Sequence, residues 1–165
     1  MTRAKSYSFF LVLCSLWWGW TVLVDFFVIR TVFAVVTSFF EAGDLGVTVF
    51  SRLNDLELVT ATGILALVCW ELRRGKKLLP HLALALVAWA IAVTYFAYLT
   101  PKLVALTELW KKTDLMGITA VAGIPDIQQE HQLYHRLYIG LDTMKLVVLT
   151  GLIALGVWRE DRWSA

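Results

Sequence analysis

Four long apolar stretches, separated by short polar ones, set the pattern of this chain. They lie over residues 9–40, 46–70, 78–99 and 126–158, and about 20 helical residues suffice to cross a hydrocarbon core of roughly 30 Å. The pattern predicts an all-α, polytopic membrane protein in which residues 1–165 form a single four-transmembrane-helix bundle. In the second stretch the purely apolar run covers only Leu56 to Trp70, so its helix is expected to begin earlier, between Gly46 and Asp55. Arg3 and Lys5 followed by the run from Tyr7 to Trp18 resemble a secretory leader. The run is too long for one and no small-residue cleavage site closes it, so it reads as a retained first helix.

The connections carry a pattern of their own. Between Glu41 and Glu57, Leu45, Val49, Leu53 and Leu56 share one helical face while Asp44, Thr48, Arg52 and Asp55 share another. This predicts an amphipathic segment that lies along the outer face or leads obliquely into the second span. Thr100-Pro101 is expected to interrupt the third helix, and Leu103, Leu106, Leu109 and Trp110 then suggest a further amphipathic turn. Residues 117–123 are apolar but too short to span, and are expected to fold back over the bundle. Pro125 with Asp126 suits the first turn of the last helix. Trp17, Trp18 and Trp20 sit deep in the first stretch, where they are expected to pack against other helices.

Composition strengthens the membrane reading: 59% of the 165 residues are hydrophobic, more than one soluble core could use. Membrane lipid is therefore the first expected partner. Lys and Arg concentrate at Arg3 and Lys5, in the turn Arg73, Arg74, Lys76 and Lys77, and at Arg159 and Arg162. By the positive-inside rule this predicts a multi-pass protein with both termini cytoplasmic, and the membrane is expected to be a plasma (bacterial inner) membrane. A net charge of +2 gives no nucleic-acid surface, and no phosphate-binding loop or nucleophile elbow is present. Cys14 and Cys69 read as small apolar residues, without a CxxC pair.

The candidate chemistry lies in charges placed inside the apolar stretches, where they are costly and mark a site or a buried contact. On the last helix His135, Tyr138, Asp142 and Lys145 are spaced by three, four and three residues and form one stripe expected to face the bundle. On the first helix Asp25 and Arg30 fall at a similar, outer depth. Five residues turn about 140° around a helix, so these two are poor partners for each other. Pairing is expected between helices, Asp25 with Lys145 and Arg30 with Asp142 or Glu57. Glu130, His131 and His135 offer weak ligands for a metal, at i, i+4 spacing for the two imidazoles. No cofactor is expected: haem ordinarily needs axial histidines on facing helices at one depth, and His81 lies toward the opposite interface.

Val35-Val-Thr-Ser-Phe-Phe40, then Ala42-Gly43, Leu45, Gly46 and Phe50, then Thr100-Pro101, and above all His135-Arg-Leu137 with Leu141 and Asp142, resemble the transmembrane protein 205-like family. The resemblance covers most of the chain and implies a four-helix membrane domain, with no biochemical activity attached. Relatives more often carry a neutral amide where Asp142 stands, an apolar residue where Lys145 stands, and a proline where this chain has Thr37-Ser38. The charges are therefore expected to belong to this protein's own task. One reading makes the cluster of Asp25, Arg30, His135, Tyr138, Asp142 and Lys145 a site that binds or transports a small solute or ion. In another the charges are structural ion pairs. In a third the chain is a non-catalytic accessory subunit of a larger membrane complex, or a homo-oligomer, completed by another chain. No acid, base and nucleophile set marks it as an enzyme.

Overall fold

The computed structural model describes residues 3–115 and 124–158. All described elements are helical, and they form four rods: residues 3–35, Phe39–Arg73, residues 79–115 and Ile124–Trp158. Within them Ser6–Val35, Phe40–Arg73, Leu79–Thr113 and Ile127–Trp158 are each long and apolar enough to cross a membrane. The expected all-α, four-helix membrane architecture is therefore what the chain adopts. The rods close a ring in chain order, the first against the second and fourth, and the third against the second and fourth. The rod ends Arg3 and Trp158 and the turn 74–78 share one end, here the terminal end, and the connection 36–38 and the rod ends Leu115 and Ile124 share the far end.

Helix boundaries differ from expectation where local chemistry decides them. The first rod stops at Val35, five residues early, because Ser38 is extended and caps the next helix, its Oγ accepting from the Glu41 backbone N–H at 3.4 Å. The second rod then runs unbroken for 35 residues, so the amphipathic segment from Glu41 to Glu57 is the start of the span and does not lie apart from it. Pro101 does not interrupt the third helix. A π-helical turn, Tyr95–Leu99, directly precedes it, and the Thr100 N–H reaches back to Tyr95 O, which absorbs the donor and space that proline removes. At 35 residues the second and fourth rods are about 52 Å long, more than the hydrocarbon thickness.

At the terminal end the second rod closes with Gly75 in the left-handed region, φ 87°. Its N–H bonds Leu72 O and that of Lys76 bonds Glu71 O, the double closure that favours glycine at this position. Toward this end lies an apolar core of Phe10, Cys14, Trp17, Ile64, Val68, Ala85, Ala88 and Leu149 with their neighbours. Toward the far end lies a second, aromatic cluster of Ile91, Tyr95, Leu99 and Tyr138, backed by Phe50 and Tyr134. Trp17 is buried as expected, whereas Trp18 is exposed with its Nε1 donating to Thr150 Oγ1 at 3.2 Å. Residues 117–123 and the tail with Arg159 and Arg162 lie outside the described residues.

Candidate functional site

Between the two clusters all four rods contribute polar side chains to one layer. The fourth rod supplies Asp142 and Lys145, and three-residue spacing puts both on its inner face. Lys145 is fully buried and its Nζ donates to Glu57 Oε1 at 2.6 Å and meets Asp142 Oδ1 at 2.5 Å. Glu57, also fully buried, comes from the second rod and accepts a further bond from Thr21 Oγ1 of the first rod at 3.1 Å. From the third rod the Tyr95 hydroxyl donates to Asp142 Oδ1 at 2.9 Å, with the Tyr138 carbonyl at 3.3 Å. The Lys145 ammonium lies 5.0 Å from the Tyr95 ring centroid, close enough for cation–π attraction. Asp25, on the first rod, joins the layer through its electrostatic interactions with Asp142, Lys145 and Glu57.

The layer extends toward the far end through neutral groups. Tyr138 stacks on Tyr95, ring centroids 4.4 Å apart, and its hydroxyl donates to Asn54 Oδ1 at 2.9 Å. The Asn54 amide in turn donates to Thr100 Oγ1 at 2.6 Å. Asn54, Glu57, Ala61, Ile64 and Val68 recur at three- and four-residue intervals and are all buried, so one face of the second rod passes from polar to apolar as it enters the core.

Backbone geometry changes at the same level. Two of the rods wind into π-helix there, at Val24–Val28 and Tyr95–Leu99, and these turns hold Asp25 and Tyr95. A π turn inserts one residue, shifts the register of the face that follows, and recurs at functional sites. Both turns coincide with the residues that their rods contribute to the charged layer.

The charges of the layer do not balance. Three carboxyl groups, Asp25, Glu57 and Asp142, share the layer with the single ammonium of Lys145; Asp25 Oδ1 is buried without a hydrogen-bond donor among the described residues, and Glu57 also interacts with the Trp17 indole. A desolvated group with more negative than positive charge takes up protons or another cation to approach neutrality.

The structure thus joins Tyr138, Asp142 and Lys145 as one stripe and brings Asp25 to them, but it redraws the pairs. The direct partners of Lys145 are Glu57 and Asp142, not Asp25. Arg30 stands apart: it is exposed, with its guanidinium 5.9 Å from the Phe26 ring centroid, and makes no ion pair among the described residues. It lies one turn beyond the layer on a different side of its rod, so its expected pairing with Asp142 or Glu57 does not form. His135 lies higher on the fourth rod, stacked at 6.3 Å on His131, whose Nε2 meets Thr107 Oγ1 at 3.2 Å. Glu130 points to Lys102 at 2.8 Å, and no group of three or more His, Cys, Asp or Glu side chains is placed to hold a metal among the described residues. Asn54 and Tyr95 were not singled out as site residues by the sequence, and Glu57 entered only as a possible partner of Arg30, not of Lys145. Glu57 lay at the seam between an amphipathic and an apolar segment, where a carboxylate looks like a flank; the Asn54, Glu57, Ala61 spacing was the signal that would have found it. No family model, curated protein or solved structure matches the chain.

Proposed function

We propose that this protein is a small integral membrane protein that binds and moves a small ion or solute, with proton exchange on the Asp25, Glu57 and Asp142 carboxyl groups. The surplus of carboxyl groups over Lys145 carries the reading. A structural lock between helices needs one carboxylate for one ammonium, and further carboxyl groups in a desolvated layer add cost without adding a pair. Asp25 holds a buried oxygen with no hydrogen-bond donor among the described residues, which leaves acceptor capacity for a transient proton or cation. The π turns at Asp25 and Tyr95 support it further, since a locally altered helix is a place where side chains can be re-aimed.

The polarity of the membrane belongs to the same proposal. Arg73, Arg74, Lys76 and Lys77 crowd the terminal end, which supports placing that end on the cytoplasmic side, the membrane being read as a bacterial plasma membrane. The cluster of Asp142, Tyr138 and Asp25 is then reached from outside, past His135.

The test is proton flux in proteoliposomes that enclose a pH-sensitive dye, under an imposed membrane potential and in sodium, potassium and choline salts. Wild-type protein is expected to exceed empty vesicles, and Asp25→Asn to reduce the excess at least tenfold while its unfolding midpoint stays close to wild type. Flux equal to that of empty vesicles in every salt refutes the reading. Co-purification with other membrane subunits in mild detergent would then favour the accessory role.

A further inference from the structure

Beyond the charged layer, the far end of the bundle holds a partly open cavity of about 330 Å³ lined by all four rods. Its two sides differ in chemistry. The first and second rods offer Phe33, Phe40 and Phe50, with Gly43 and Gly46 between them, and the third and fourth offer Thr107, Trp110, His131 and His135. Tyr138 lies at the boundary between this space and the layer below.

Aromatic rings frame the space at edge-on angles: Phe40 to Trp110 at 6.0 Å and 81°, Trp110 to His131 at 5.6 Å and 62°, Phe50 to Tyr138 at 5.2 Å and 62°. Such walls favour a flat ring, which can meet them by stacking or edge contact, over a flexible chain. One polar group stands ready in this wall: His135 has no hydrogen-bond or ion-pair partner among the described residues, and His131 with Thr107 stands one turn away. Among the described residues no aspartate, glutamate, lysine or arginine borders the space, so a charged ligand would find no counter-ion among them. The volume is near the lower end of ligand pockets, about 300–1,000 Å³, and suits a ring-sized head rather than a whole lipid.

From these features we infer that the far-end cavity is a binding site for a planar, uncharged ring bearing a carbonyl or phenolic oxygen, as in membrane-dissolved quinones and phenols, with His135 bonding that oxygen. This inference stands apart from the transport reading, since it uses none of the charged residues. Gly46 gives the means to test it. A Cβ at Gly46 would meet its nearest neighbour, Phe33 Cε2, only at 4.0 Å, so Gly46→Leu extends into open space and fills the cavity from one side.

The experiment measures the unfolding midpoint of the purified protein in detergent against increasing menadione, with 2-naphthol and 1-octanol as comparators. A ligand that binds only the folded state raises the midpoint in a saturable way. Menadione and 2-naphthol are expected to do so with wild type, to lose the effect with Gly46→Leu, and to need at least tenfold higher concentration with His135→Leu. Saturation by menadione unchanged in both variants would place it elsewhere and overturn the inference. So would octanol acting at the same concentration as the rings, or no saturable shift with either ring. His135→Leu keeps the test decisive if Gly46→Leu fails to fold.

Discussion

The two halves of the bundle are held together by different means. Toward the terminal end, small residues let the rods approach: a Cβ on Gly156 would lie 2.7 Å from Leu11 Cδ2 and 3.2 Å from Phe10 Cε1, and one on Gly151 3.2 Å from Leu84 Cδ1. Toward the far end, Gly43 and Gly140 have nothing within 4 Å of such an atom, and contact passes through tyrosine hydroxyls, Asn54 and ion pairs. Helices in lipid associate by close packing and by hydrogen bonds, because lipid tails are as apolar as leucine. This chain uses the first means in one half and the second in the other, with Lys145 at the junction. The packed half brings its rods close at Gly151 and Gly156; the half joined by polar links keeps a cavity.

The junction is where the comparison breaks most easily. Lys145→Met removes the one ammonium that three carboxyl groups share, and stranding buried charge in this way costs about 3–5 kcal/mol. Its unfolding midpoint in detergent is expected to fall further than that of any other single substitution named here. Adding Glu57→Gln, which removes the nearest uncompensated charge, should recover part of the loss, and the double-mutant cycle measures the coupling. Full additivity of the two substitutions would show that Glu57 and Lys145 do not depend on each other.

The four spans and the stripe of Tyr138, Asp142 and Lys145 were legible in the sequence because length, apolarity and helical spacing are local quantities. Asp25 could be brought to the stripe by depth alone. Partner choice was not legible: depth cannot say whether Lys145 meets Asp25 or Glu57, which depends on how each rod is rotated about its axis. Two π turns alter that rotation part-way along the first and third rods, and nothing in Val24–Val28 marks the first of them. For the second, Pro101 was a visible signal, read as a break although the chain accommodates it within a continuous helix. Arg30 was grouped with the cluster by its depth and excluded by its angle. The far-end cavity was also invisible, since it arises from the absence of side chains at Gly43 and Gly46 where two rods face each other.

The packed half is tested next. Gly156→Leu would place a branched side chain where even a Cβ lies within 3 Å of Leu11, and overpacking of this kind costs about 1–3 kcal/mol. Gly140→Leu, on the same rod where no atom lies within 4 Å, should leave the midpoint near wild type. If the two substitutions behave alike, close packing is not what distinguishes the terminal half.

The smallest effect is expected at the far end's exposed rim, where Lys111 of the third rod meets Asp44 of the second and both side chains are more than a third exposed. Solvent screens such a pair, and holding two mobile side chains in one geometry offsets much of the attraction. Lys111→Ala should therefore lower stability by about 0.2–1 kcal/mol, and the difference from wild type should vanish as salt is raised toward 1 M, where the Debye length falls to about 3 Å. The same salt titration should leave the Lys145→Met deficit nearly intact, because salt screens buried charges much less than exposed ones. A Lys145→Met deficit that fades with salt in parallel with that of Lys111→Ala would mean the layer is hydrated, and the division between a dry junction and a wet rim would fall.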